Sequence, residues 1–206
     1  MPSVTLLAVS KSQSADAVQA ALAAGQHRFG ENYVQEGLAK IEALAGQRAQ
    51  IEWHFIGALQ SNKAAAVAQA FDWVHSVDRL KIAERLSQQR AGAAAPLQVC
   101  LQVNVSGEAS KAGVAPADLP ALAHAVAALP GLKLRGLMSI PEPAVGESAQ
   151  RAPHRALRQM LERLNAEGLA LDTLSMGMSD DLEAAVMEGS TQLRVGTAIF
   201  GARARA

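Results

Sequence analysis

The chain of 206 residues has little cysteine, no net charge and no long apolar run, and each shortage closes off a class of function. Its one cysteine, Cys100, can form neither an internal disulfide nor a multi-cysteine metal site. It lies within Leu97-Gln98-Val99-Cys100-Leu101-Gln102-Val103, which reads as the interior of a strand, so a buried, inert thiol is expected. The 19 basic and 19 acidic residues cancel, and no block of like charge stands out, which argues against a nucleic-acid partner. No apolar run approaches the roughly 20 residues needed to span a bilayer. Residues 1–25 lack the layout of a signal peptide. A soluble, cytoplasmic, monomeric protein without a membrane partner is expected. Its length suits a single domain over 1–206.

What is present is a regular alternation of short β-like segments with longer segments of helical period. The strand candidates are Thr5–Ser10, His27–Gly30, Trp53–Gly57, Trp73–Ser76, Leu97–Asn104, Lys133–Ser139, Thr173–Met176 and Leu193–Gly196. Between them, sets such as Val34, Leu38, Ile41 and Ala45 make apolar stripes at helical spacing. Ser14, Asp78 and Ser179 are candidate N-caps, Pro116 falls near a first turn, and Gly25, Gly168 and Gly189 fall near helix ends. Eight units of this kind predict an α/β fold, a closed (β/α)8 barrel.

In such a barrel the strand ends carry the chemistry. Lys11 ends the apolar run Val4-Thr5-Leu6-Leu7-Ala8-Val9-Ser10. It is either a rim lysine with its ammonium in water or, with its pKa lowered by desolvation or a neighbouring cation such as Arg194, an amine able to form a Schiff base. After the eighth strand, Gly196 would let backbone approach an anion, and Thr197 with the next free amides could donate to it. Loops after strands seven and eight are the usual phosphate site of this architecture. A rim lysine, an anion cup including Ser179, and a strand-borne arginine together suit a phosphorylated aldehyde, for which pyridoxal 5′-phosphate is the candidate.

Five blocks carry a specific resemblance: Leu7-Ala8-Val9-Ser10-Lys11, Phe29-Gly30-Glu31-Asn32-Tyr33, Trp53 through Lys63, Ser175-Met176-Gly177-Met178-Ser179, and Arg194 through Gly201. In this order the chain resembles the pyridoxal phosphate homeostasis protein family, short relatives of the alanine racemase N-terminal barrel. The resemblance implies that Lys11 forms the internal aldimine, that Arg194 faces the pyridine nitrogen, and that Ser179, Gly196 and Thr197 hold the phosphate. It further implies that Asn32, His54, Asn62, Met138, Ser139 and Met176 line the pocket, although His54 reads equally well as a satisfied histidine at a strand end. Relatives usually carry a helix before the first strand. This sequence starts at the strand, and lowered stability or exposed apolar surface is expected to follow.

A carrier or buffer of the cofactor that serves apo-enzymes is the reading that follows, with no turnover and no metal. A guanidinium facing the ring nitrogen disfavours the pyridinium that acts as electron sink. A minimal racemase using the same lysine is the alternative, and it would need a second acid or base, for which the chain has one tyrosine, Tyr33. A barrel for another phosphorylated metabolite, with Lys11 a charge partner only, is a third reading. Lys111, in the polar loop after the fifth strand, is a candidate second amine on the same rim.

Overall fold

The computed structural model describes residues 4–107 and 112–201. Lys111 therefore lies outside the described residues. Eight parallel strands, β1 (Thr5–Val9), β2 (Arg28–Glu31), β3 (Glu52–Phe55), β4 (Trp73–Val77), β5 (Leu97–Gln102), β6 (Leu132–Met138), β7 (Thr173–Ser175) and β8 (Gln192–Val195), close in sequence order into a barrel. Closure is made by β1 against β8, with Thr5 opposite Gln192 and Ala8 opposite Val195. The helices α1 (Ala15–Ala23), α2 (Val34–Ala43), α3 (Ala64–Ala70), α4 (Leu80–Arg90), α5 (Leu119–Ala127), α6 (Glu147–Ala166), α7 (Leu182–Met187) and α8 (Thr197–Phe200) alternate with the strands. The (β/α)8 barrel expected from the alternation is what the chain forms, with strand limits within a few residues of those predicted.

Alternation along each strand divides the molecule into two interiors. Trp53 and Phe55 point outward into the large core beneath the helices, where Phe55 meets Phe71 edge-on with ring centroids 5.5 Å apart. Between them His54 points into the barrel, stacked on Trp73 at 5.3 Å. Trp73, Cys100 and Met138 form a small separate apolar cluster there. Cys100 is fully buried and its thiol is pushed up to about 12 by burial, as an inert core cysteine should be. Among the described residues, no helix is long and apolar enough to cross a membrane.

Local signals behaved unevenly. Ser14 caps α1, its hydroxyl accepting from the Ala17 amide at 3.2 Å. Gly25, Gly168 and Gly189 follow the ends of α1, α6 and α7 with left-handed φ of 94°, 99° and 89°. Asp78 is not a cap: Arg79 occupies that position of α4, and the Asp78 carboxylate pairs with the Arg79 guanidinium instead. Nor does Ser179 cap α7, which starts two residues later than expected. Asp181 stands at its head and accepts the Met178 amide at 2.7 Å, which leaves Ser179 exposed in the preceding turn. Pro116 precedes α5 without entering it, and Pro120 occupies the first turn. Beside β1, Leu6 is 42% exposed and lines a shallow apolar hollow with residues of α1 and α8.

The outer layer is tied together at one buried carboxylate. Glu188, at the end of α7, accepts from Arg151 at 2.8 Å, Arg155 at 2.9 Å and Arg158 at 3.5 Å, all on α6. These bonds, that from Arg155 foremost, hold its carboxyl down to about 2 from an ordinary value of 4.5. Because the folded pKa is the lower one, this contribution is complete above pH 4.5 and is lost as pH falls toward 2. Glu188→Gln should therefore flatten the fall of the urea midpoint across that window; an unchanged pH profile would contradict the assignment.

Candidate functional site

The carboxyl ends of the strands surround a cavity of about 270 Å³, close to the lower limit of ~300 Å³ for small-ligand pockets. It is lined by Val9, Lys11, Gln13, Asn32, Ile56, Ile140, Met178, Ser179, Arg194, Gly196, Thr197 and Gly201. Lys11 arrives there because β1 ends at Val9 and the chain turns at once. The Ser10 amide donates to the Gly30 carbonyl at 3.0 Å, and Ser12 takes a left-handed φ of 61°.

That turn is held from below by buried charge. Lys40 of α2, 5% exposed, donates to the Ser10 carbonyl at 2.6 Å, to Glu31 at 2.8 Å and to Glu36 at 2.7 Å. The Ser10 hydroxyl donates to the same Glu31 oxygen at 2.6 Å, and the Ser12 amide donates to Glu36. Both residues flanking Lys11 are thus tied to one ionic cluster. Burial raises the Glu31 carboxyl despite the hydrogen bonds from Lys40 and Ser10, so its charge depends on those partners.

Just past the end of β2, Asn32 is brought close by Gly57, where a Cβ would lie 2.0 Å from the Asn32 carbonyl oxygen. Only glycine permits that approach. The buried Asn32 Oδ1 has no hydrogen-bond partner. Across the mouth, Gly177 adopts φ 95° and its carbonyl accepts the Arg194 amide at 3.0 Å, which registers the loop after β7 on β8. Gly196 then opens α8, whose first amides have no intrahelical acceptor. Arg194 is the buried cation of the site, donating through Nη1 to the Ser175 carbonyl at 2.6 Å and hydroxyl at 2.8 Å, and through Nη2 to the Ser139 carbonyl at 2.8 Å. Burial draws it down to about 10, so it is still a cation at neutral pH.

The structure thus brings Lys11, Asn32, Ser179, Arg194, Gly196 and Thr197 around one cavity. The other residues named from the sequence are not among its lining. His54 lies within the barrel, bonded to His75 and Glu52. Met138 packs on Trp73 and Cys100, and Met176 packs in the outer core. Asn62 is exposed in the 3-10 turn Ser61–Lys63. Ser139 supports Arg194 through its carbonyl, while its own buried hydroxyl has no partner. Tyr33 is 59% exposed at the start of α2 and is likewise not in the lining. Sequence reasoning did not single out Val9, Gln13, Ile56 or Ile140. Val9 was nonetheless within reach of it, since it lies two residues before Lys11 and so on the same side of the strand.

A closed parallel barrel with an amine at the end of its first strand, and an arginine and a helix start at its last, defines a class of lysine-bearing (β/α)8 barrels. The family described as alanine racemase, N-terminal domain, matches residues 1–204. A pyridoxal phosphate homeostasis protein of Pseudomonas aeruginosa is 62% identical over 200 residues, covering 97% of this chain and 85% of the relative. One from Escherichia coli is 52% identical over 201 residues, with 97% and 86% covered. The chain belongs to the pyridoxal phosphate homeostasis protein family. Among solved structures, PipY of Synechococcus elongatus, with PLP bound, superposes with a TM-score of 0.90 at 42% identity, covering 98% of this chain and 94% of that one.

Proposed function

We propose that this barrel holds pyridoxal 5′-phosphate through Lys11 and acts in vitamin B6 homeostasis as a carrier or buffer, in the cytoplasm, supplying apo-enzymes that need the cofactor. The observation that carries the reading is the meeting of Lys11, Arg194 and the start of α8 in one cavity at the barrel mouth. The residues present suit the group. The orphaned Asn32 Oδ1 can take a donor, the first amides of α8 have no intrahelical acceptor and can donate to a phosphate, and Arg194 has two N–H groups beyond the three it already commits.

When bound, the cofactor supplies an aldehyde that exchanges reversibly with amines. Lys11 would contribute the amine that holds this aldehyde. Ser179, Gly196 and Thr197 would hold the phosphate, and Arg194, a cation, would face the ring nitrogen and disfavour its protonation. Turnover of amino acids would need a further group to move a proton on the face away from Lys11, and apart from Arg194, a cation at neutral pH, no other titratable side chain of the described residues lines the cavity. This favours holding over racemisation.

Incubation with the cofactor followed by borohydride should add one reduced pyridoxyl group to the peptide bearing Lys11. Chiral analysis of L-amino acids left with the loaded protein should show no D-isomer. Modification elsewhere would overturn the assignment of Lys11, and accumulating D-isomer would overturn the carrier reading.

A further inference from the structure

Beneath Arg194, four polar side chains run in single file through the barrel. Glu52 Oε1 lies 2.9 Å from His54 Nε2, His54 Nδ1 lies 2.9 Å from His75 Nε2, and His75 Nδ1 lies 2.8 Å from Ser175 Oγ. Ser175 Oγ in turn accepts from Arg194 at 2.8 Å. His54, His75 and Ser175 are fully buried, whereas Glu52 opens onto the basin at the opposite end of the barrel from the cavity.

The carboxylate end fixes the direction of every proton in the file. A carboxylate only accepts, so neutral His54 carries its proton on Nε2 and gives it to Glu52. His54 Nδ1 is then bare and accepts the Nε2–H of His75, whose bare Nδ1 accepts the Ser175 hydroxyl. Ser175 Oγ keeps its lone pairs for the Arg194 N–H. The reverse order would set a bare His54 Nε2 against a Glu52 oxygen at 2.9 Å, lone pair facing lone pair. A second proton on either ring does not rescue that order, because burial holds both imidazoles below their ordinary values.

We propose that Glu52, His54, His75 and Ser175 form a one-way hydrogen-bond relay that positions the Arg194 guanidinium from the far end of the barrel and so fixes which of its N–H groups face the cavity. The consequence for a ligand rests on the function proposed above. Every proton of the relay points away from the cavity, so the relay has none to hand to a ring nitrogen facing Arg194. That nitrogen is offered a hydrogen bond and no acid. Glu52, at the opposite mouth and in no contact with the cavity, becomes a positioning residue for the site.

Nitrogen-15 spectra of the histidine rings, taken on the wild-type protein without cofactor at pH 7, should show His54 and His75 both neutral with the proton on Nε2. Either ring protonated on Nδ1 would overturn the relay, whatever the protein binds. Glu52→Leu, which leaves no acceptor for His54, and Ser175→Ala should each weaken pyridoxal phosphate binding roughly three- to tenfold, the worth of one hydrogen bond. A wild-type dissociation constant in Glu52→Leu would also overturn it. Failure of the wild-type protein to bind cofactor would sink the proposed function, while the ring tautomers would still decide the relay.

Discussion

Lys40→Met should cost about 3–5 kcal/mol of stability, the range for breaking a buried ion pair by removing one partner. Without the ammonium, Glu31 would stay fully buried with only the Ser10 hydroxyl as donor. Its other oxygen already lacks a partner. Methionine fills the space of the side chain and replaces none of its three hydrogen bonds. The effect should be strongly non-additive: Lys40→Met combined with Glu31→Leu removes both charges, and such swaps are often close to neutral. Guanidinium unfolding of the single and double variants tests this, and a loss below about 1 kcal/mol in Lys40→Met would show that the cluster is a bystander. The same variant should also loosen the turn that presents Lys11, because the Ser10 carbonyl loses its donor.

Lys11→Ala should abolish covalent retention of the cofactor. No C=N bond can form, so the absorbance band of the bound form should vanish and borohydride should add no mass. The substitution leaves Arg194 and the start of α8 in place, so weak binding should persist, with affinity down by about two orders of magnitude, or ~2.7 kcal/mol. Lys11→Arg separates the two roles of the residue. It keeps a cation at the mouth of β1, yet a guanidinium that stays protonated is no nucleophile at neutral pH. Loss of the band in both variants is the expected result; a band surviving in Lys11→Arg would mean that charge alone holds the ligand.

Much of this site is legible along the chain. Lys11 stands out because an amine ending an apolar strand needs a partner or a purpose, and Arg194, Gly196 and Thr197 stand out because a buried cation and a helix start follow one another on the last strand. The helix limits near Gly25, Gly168 and Gly189 are legible too, since a left-handed residue is a local requirement. Ser179 shows where such reading stops. A serine ahead of an acidic pair has the composition of a cap, but Asp181 accepts the Met178 amide and moves the helix start.

The rest depended on closure. His75 and Ser175 are 100 residues apart, yet they touch because both point inward at the same level of a closed barrel. The level of a residue is set by register, and register slips at Val99/Cys100 between β5 and β6, where Leu134 and Gly136 stand opposite successive residues. No period in the sequence announces that slip. Lys40, on one stripe of α2, reads as an ordinary helix lysine until the helix is laid over β1 and β2, where it meets Ser10 and Glu31.

The sequence by itself determined the alternation of strand and helix, the barrel that eight such units build, and the placing of a lysine and an arginine at strand ends, because these follow from short-range period and from the cost of burying charge. The tertiary structure alone decided that Lys11 is braced by Lys40 and that Arg194 connects to Glu52 through two histidines and a serine. The reason is physical: hydrogen bonds between distant strands exist only once closure has fixed which side chains share a layer.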